Sequence, residues 1–198
     1  MQIGIIGAGA IGSAIARALS NAGLEVVIAN SRGPESLQAL ANELGPKVRP
    51  VSREEAARAD IVFLAVNWSK IPAALDGLGP WNGRIVVDAN NPIEAPTFRP
   101  FDLGAQSSSE VVAQLLPGAR LVKAFNHLAP ALLAGDPQAE GGRRVLFYSG
   151  EDAAAKAEVA ALIERLGFAG IDLGGLAEGR LAQFPGGPLP ALNLVRYS

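Results

Sequence analysis

Six residues, Gly7-Ala8-Gly9-Ala10-Ile11-Gly12, follow directly on a strand-like apolar stretch at Gln2–Ile6, and they constrain this chain more than any other segment. In a G-x-G-x-x-G at a strand-to-helix junction each glycine has a physical use. The first permits a tight turn, the second lets the backbone approach a pyrophosphate, and the third allows close helix–strand packing. Amides at the start of the following helix then face phosphate oxygens, and the helix dipole adds to the attraction. Gly7, Gly9, Ala10, Ile11 and Gly12 are therefore expected to hold the phosphates of a dinucleotide. The helix is predicted over Ala10–Ala22, with Ile11, Ile15, Ala18, Leu19 and Ala22 on one face.

The rest of the chain continues the alternation. Strands are predicted at Glu25–Ala29, Val48–Val51, Ile61–Val66, Arg84–Asp88, Arg120–Phe125, Arg143–Tyr148 and Phe168–Leu173. The run at Ile61–Val66 never alternates with polar residues, as a strand buried on both faces requires. One helix is expected from Pro34, carrying Leu37, Leu40 and Leu44, and another carries Val159, Leu162, Ile163 and Leu166. The pattern predicts an α/β fold, a Rossmann-type doubly wound and mostly parallel sheet, with a short Gly/Pro-rich C-terminal extension. At 198 residues the expectation is a single domain over 1–198. Asn90–Gly104, which contains Pro92, Pro96 and Pro100, is the longest stretch expected to be irregular.

Composition removes several classes of function. Without cysteine there is no disulfide or thiolate chemistry, and with His127 as the single histidine no multi-histidine metal site is expected. A formal net charge of -2 with no basic tract argues against a nucleic-acid partner. The N-terminus begins as a strand, and no apolar run reaches bilayer length, so a soluble, cytoplasmic protein without a membrane partner is expected.

The end of the second strand bears on the choice of dinucleotide. Asn30 lies 18 positions beyond Gly12, close to where an NAD-type site carries an acid for the ribose hydroxyls. Here the residues are Asn30, Ser31 and Arg32. A hydroxyl and a guanidinium donate to phosphate oxygens, which favours a ribose bearing a 2′-phosphate and hence NADP(H). The bland alternative is a solvated turn.

Ligands of open parallel sheets bind beyond the carboxyl ends of the strands. Those ends read Gly7, Asn30, Asn67, Asn90-Asn91 and Asn126-His127. Asparagine offers a donor and an acceptor without charge, suiting amide, ribose and flavin-ring edges, although it also ends strands for local turn reasons. Val66 and Asn67 are expected to border the coenzyme, and Asn90 and Pro92 to sit by the nicotinamide ribose. Trp68 either stacks on a ring or covers the core. Lys123 and His127 are the obvious proton donors at this edge, His127 being either catalytic or a satisfied structural histidine.

The segments GIIGAGAIGSAIA, NSRGPESL, DANNP, KAFNHL and GRLAQFPGGPLPALN together resemble the NADP oxidoreductase family of coenzyme F420-dependent type. They are also similar to the cytosolic reductase domain of six-transmembrane metalloreductases, and the likeness runs from residue 2 to about 194. It implies NADPH bound across the strand ends, with a deazaflavin (coenzyme F420) or a flavin (FMN or FAD) stacked on the nicotinamide. Ser31 and Arg32 match the 2′-phosphate contacts. Asn126 and His127 fall at the second-cofactor pocket as the catalytic candidates. The tail, about 174–198, would close that pocket through Leu181–Leu189, near the partner of a homodimer. The implied activity is hydride transfer between NADP(H) and a deazaflavin or flavin acceptor. One rival is an NADPH-dependent reductase of a small carbonyl or imine, for which no buried Lys–Asp pair stands out after the sheet, although Lys123 could act on a carbonyl. The other is a non-catalytic NADPH-binding redox sensor.

Overall fold

In the computed structural model, which describes residues 1–197, Ile3–Ile6 forms β1, and Gly7 turns the chain into α1 (Ala10–Asn21). β2 (Val26–Ala29) follows. The helix expected from Pro34 starts as a tighter 3-10 turn over Pro34–Leu37 before becoming α2 (Gln38–Leu44). Next come β3 (Val48–Pro50), α3 (Arg53–Ala56) and β4 (Ile61–Leu64). A 3-10 turn at Trp68–Lys70 leads through α4 (Ile71–Leu75) to β5 (Ile85–Asp88). The stretch expected to be irregular contains a short antiparallel hairpin, β6 (Ile93–Glu94) with β7 (Arg99–Pro100). The chain continues through α5 (Ser108–Gln114), β8 (Arg120–Ala124), α6 (Pro130–Ala134), β9 (Gln138–Ala139) and β10 (Gly142–Gly150). α7 (Ala153–Arg165), β11 (Ala169–Asp172), a 3-10 turn at Glu178–Ala182 and β12 (Val195–Arg196) complete it.

The sheet runs in the order β3-β2-β1-β4-β5-β8-β10-β11. From β3 to β8 every pairing is parallel. β10 then runs antiparallel to β8, with β11 parallel to β10, and the short β9 and β12 pair antiparallel with β10. The Rossmann-type, mostly parallel sheet is thus present. Its strand order reverses between β1 and β4, so the carboxyl ends of these two strands frame the crevice where such sheets take their ligands.

Both faces are covered. Ile3, Ile5, Ile61, Phe63, Ile85 and Val87 pack with Ile15 and Leu19 of α1 and with Val159 and Leu162 of α7. Their neighbours Ile6, Val62, Leu64 and Val86 turn the other way, against Ile71, Leu75, Trp81 and Val112. A strand covered on both sides has no solvent-facing position, which is why these runs are apolar throughout. A fully buried pair of charges interrupts the pattern where Asp88 of β5 stands opposite Lys123 of β8.

Candidate functional site

The glycine loop is formed by close approach. Gly7 has φ +111°, and its amide donates to the Ala29 carbonyl at 2.8 Å, bringing the end of β2 alongside. A Cβ on Gly7 would stand 2.1 Å from the Ala65 carbonyl oxygen, and one on Gly12 only 1.9 Å from that of Gly7. Side chains at either position would drive apart β1, β4 and α1. Gly9 is the opposite case. No atom lies within 4 Å of where its Cβ would be. It caps α1 without a side-chain hydrogen bond, and the first turn carries no acidic residue. The exposed start of α1, with Gly9 and Ala10 at the surface, therefore presents free amides and an uncontested positive dipole end.

At the end of β2, Asn30 works locally. Its Oδ1 accepts from the Arg32 amide at 2.9 Å, and its Nδ2 donates to Ser36 Oγ at 2.9 Å. The Ser36 hydroxyl in turn donates to the Gly33 carbonyl at 2.7 Å. Asn30 thus shapes the turn that presents Ser31 and Arg32. Both are exposed, and among the described residues the Arg32 guanidinium makes no ion pair.

Asn90 is likewise turned inward. Its Oδ1 accepts from the Val66 amide at 2.8 Å, and its Nδ2 donates to the Leu64 carbonyl at 3.1 Å and to Asp88 Oδ1 at 2.8 Å. The side chain staples the end of β4 to the end of β5. Asn67 is exposed and reaches the Ala95 carbonyl in the hairpin at 3.4 Å. Pro92 is buried at the hairpin's foot, where its carbonyl accepts from the Phe101 amide at 2.9 Å. Trp68, half-buried, packs against the apolar layer around Ile71 and Leu75, as the core-covering role expects.

A buried Lys–Asp pair lies inside the sheet itself, on β5 and β8, and not after the sheet, where none was expected. Lys123 Nζ lies 3.0 Å from Asp88 Oδ2, with side chains 2% and 0% exposed. The ammonium also donates to the Asn90 carbonyl and, at 3.2 Å, to Ser108 Oγ. Burial pushes its pKa down, and the Asp88 carboxylate opposes that shift. All three donors of the ammonium are engaged and the group is sealed from solvent, so Lys123 is not placed to attack a carbonyl.

Asn126 and His127 stand at the end of β8, just past Phe125, which holds a left-handed φ of +64°. Such a conformation is costly for an aromatic residue and here re-aims the chain at the site edge. Asn126 Nδ2 donates to the Ala182 carbonyl at 2.7 Å and to Asn91 Oδ1 at 3.1 Å. Asn91 Nδ2 returns a bond to the Asn126 carbonyl at 2.7 Å, and its Oδ1 also accepts from the Phe184 amide at 3.0 Å. The tail is therefore latched to two strand-end asparagines, and a third bond joins the Ala191 amide to the His127 carbonyl at 2.8 Å. Asn126 Oδ1 and both ring nitrogens of His127 are buried without a partner. The imidazole leans on Phe147, ring centroids 4.9 Å apart. Burial pushes its pKa down to about 4, with the Val145 backbone nearby opposing the shift in part, so His127 is neutral at pH 7.

All the expected site residues lie along the carboxyl edge. Gly7, Val66 and Asn90 meet at its centre, Ser31 and Arg32 flank one side, and Asn91, Asn126 and His127 meet the tail on the other. Asp88, Ser108 and Gln183, which join this group by hydrogen bonds, were not singled out from the sequence. Two clefts, of about 410 and 400 Å3, open elsewhere, beside Glu25 and Lys47 and between Ala18 and Phe168. Among the described residues no group of three or more acidic or histidine side chains could hold a metal ion, and no helix is long and apolar enough to cross a membrane.

Comparison with known proteins fits this arrangement. The profile of the family described as NADP oxidoreductase, coenzyme F420-dependent, matches residues 2–92. A solved structure of a hypothetical protein from Sinorhizobium meliloti is 49% identical with a TM-score of 0.93, covering 99% of this chain and 96% of that one. A putative F420-dependent NADP-reductase from an Arthrobacter species is 30% identical with a TM-score of 0.81, covering 99% of this chain and 100% of its own. The metalloreductase STEAP3 of Rattus norvegicus is 32% identical over 183 residues, which is 90% of this chain and 35% of that protein. The chain spans about a third or less of the length of the curated relatives it matches.

Proposed function

The chain belongs to the NADP oxidoreductase, coenzyme F420-dependent family, and from that premise we propose that it transfers hydride between NADP(H) and a flat deazaflavin or flavin ring at the carboxyl edge of its sheet. The observation that carries this reading is the pairing of an open, uncapped helix start at Gly9 with an Arg32 that makes no ion pair among the described residues, beside Ser31 at the next strand end. The first suits a pyrophosphate and the second a 2′-phosphate. In this reading the amides of Gly9, Ala10 and Ile11 hold the pyrophosphate. Val66, Asn67 and Pro92 border the nicotinamide end.

NADPH supplies the hydride, and the protein contributes geometry. Two stacked rings need their carbons held in contact and water kept out, more than they need acid–base groups. Asn126 and His127, beneath the tail, would hold the acceptor ring. There the partnerless Asn126 Oδ1 would accept from a ring N–H, and the neutral imidazole of His127 would donate to a ring carbonyl. The exposed tail residues Leu181, Phe184, Leu192 and Leu194 fit burial against a second copy of the chain in a homodimer. Enclosure of Lys123 argues against a carbonyl or imine reductase that would use it. The direct test is to titrate NADPH and NADH, then follow NADPH oxidation with coenzyme F420, FMN and no acceptor in parallel. Preference for NADPH together with turnover on either ring supports the reading; equal affinity for NADH removes the 2′-phosphate site.

A further inference from the structure

Among the described residues, the one ion pair with both side chains buried lies at the proposed site rather than in mid-core. Desolvating two charges costs several kcal/mol per ion, and an apolar pair at the same register position would avoid that cost. What an apolar pair cannot do is direct three hydrogen bonds. Each bond from Lys123 leads to a different element. Asp88, which takes one, uses its other oxygen to hold the Asn90 amide at 3.0 Å and the Asn90 side chain, which in turn holds Val66. The Asn90 carbonyl, which takes the second, opens the Asn90–Pro92 loop. Ser108, which takes the third, starts α5, and its backbone amide donates to Gln183 Oε1 in the tail at 2.7 Å. The tail also rests on the lysine itself, since a Cβ on Gly179 would lie 3.6 Å from Lys123 Cγ.

Resting on the hydride-transfer reading of this edge, we propose that Lys123 is a positioning residue whose ammonium sets the spacing between the Val66 and Asn90 loops, which border the nicotinamide, and the tail over the acceptor. It touches neither ring. The network is satisfied at every donor of the ammonium, so it acts as a rigid spacer and not as a proton source.

The test is the double variant Lys123→Met/Asp88→Asn, which leaves no lone buried charge, compared with Ser108→Ala, which removes one bond and keeps the pair. Four quantities are read on the full chain: NADPH affinity, emission of the bound nicotinamide, protease cleavage of the tail, and kcat and KM with FMN or coenzyme F420. NADPH affinity should stay within about threefold, because the phosphates are held elsewhere. The nicotinamide emission should move toward that of free NADPH and tail cleavage should quicken. kcat should fall roughly tenfold to a hundredfold, as misplacement on the order of 1 Å costs. Ser108→Ala should shift the same readouts in the same direction to a smaller extent, and it decides the matter if the double variant does not fold. Wild-type emission, tail protection and kcat in a folded variant would overturn the proposal, as would affinity and kcat falling in step. If the wild-type protein reduces neither acceptor, the hydride-transfer reading fails, yet emission and cleavage still report whether Lys123 spaces the loops and tail.

Discussion

The side-chain amide of Asn126 donates to the Ala182 carbonyl at 2.7 Å while its own oxygen, equally buried, meets no protein partner. An unmet buried acceptor costs about 1–3 kcal/mol unless water or a ligand fills it. In the proposed hydride-transfer reading, a strand end, a latch and an unpartnered oxygen on one residue tie acceptor binding to closure of the tail.

Asn126→Ala should therefore weaken the acceptor side alone. KM for the acceptor should rise roughly fivefold and tail proteolysis should quicken, since one neutral hydrogen bond is worth about 1 kcal/mol. NADPH affinity should hold. Equilibrium titration of the coenzyme beside steady-state kinetics separates the two effects.

Gly9→Ala and Gly12→Ala should fail differently. With nothing within 4 Å of its Cβ position, Gly9→Ala should keep the melting temperature of the wild type while losing NADPH affinity, because the methyl enters the space left for phosphate. Gly12→Ala places a Cβ 1.9 Å from the Gly7 carbonyl oxygen and should lower the melting temperature or prevent folding. Thermal melts with and without NADPH distinguish the pair.

Arg32→Ala should cost NADPH roughly tenfold to a hundredfold in affinity, from the loss of a charge-assisted bond worth about 1.5–3 kcal/mol, and should leave NADH unchanged. The charge is exposed, so the loss should shrink as salt is raised. Parallel titrations at two ionic strengths check both points.

His127 carries a pH signature. Its folded pKa of about 4 lies below the ordinary 6.5, so between those values the unfolded chain binds a proton that the folded protein does not. Stability should therefore fall as pH drops from 6.5 to 4, by about 3 kcal/mol in all, and should not depend on this group above 6.5. His127→Gln should flatten that part of the curve. Melting temperature against pH for both proteins is the measurement, and kcat should show no histidine titration near 6.5.

Much of this architecture is legible in the sequence because its causes are local. Gly7, Gly9 and Gly12 are spaced by the turn they make, and the strands announce themselves as apolar runs. α3, α4 and α6, at four or five residues each, are too short for periodicity to show. The Lys123–Asp88 pair joins residues 35 apart, and only the register of β5 on β8 sets them opposite each other. A signal was there, since each is a lone charge at or within an apolar run, Ile85–Asp88 and Leu121–Phe125. The Ser107–Glu110 capping box that starts α5 is equally visible in the sequence. Asn30 and Asn90 show the opposite limit. The donor and acceptor that suit asparagine to a ligand are spent here on neighbouring backbone and side chains.

The central claim is that one edge of the sheet brings two rings together, and single-turnover mixing of the NADPH-loaded protein with coenzyme F420 or FMN tests it most directly. Nicotinamide absorbance should be lost in step with reduction of the acceptor, more slowly when the transferred hydrogen of NADPH is replaced by deuterium. Tight NADPH binding with neither ring reduced would contradict it.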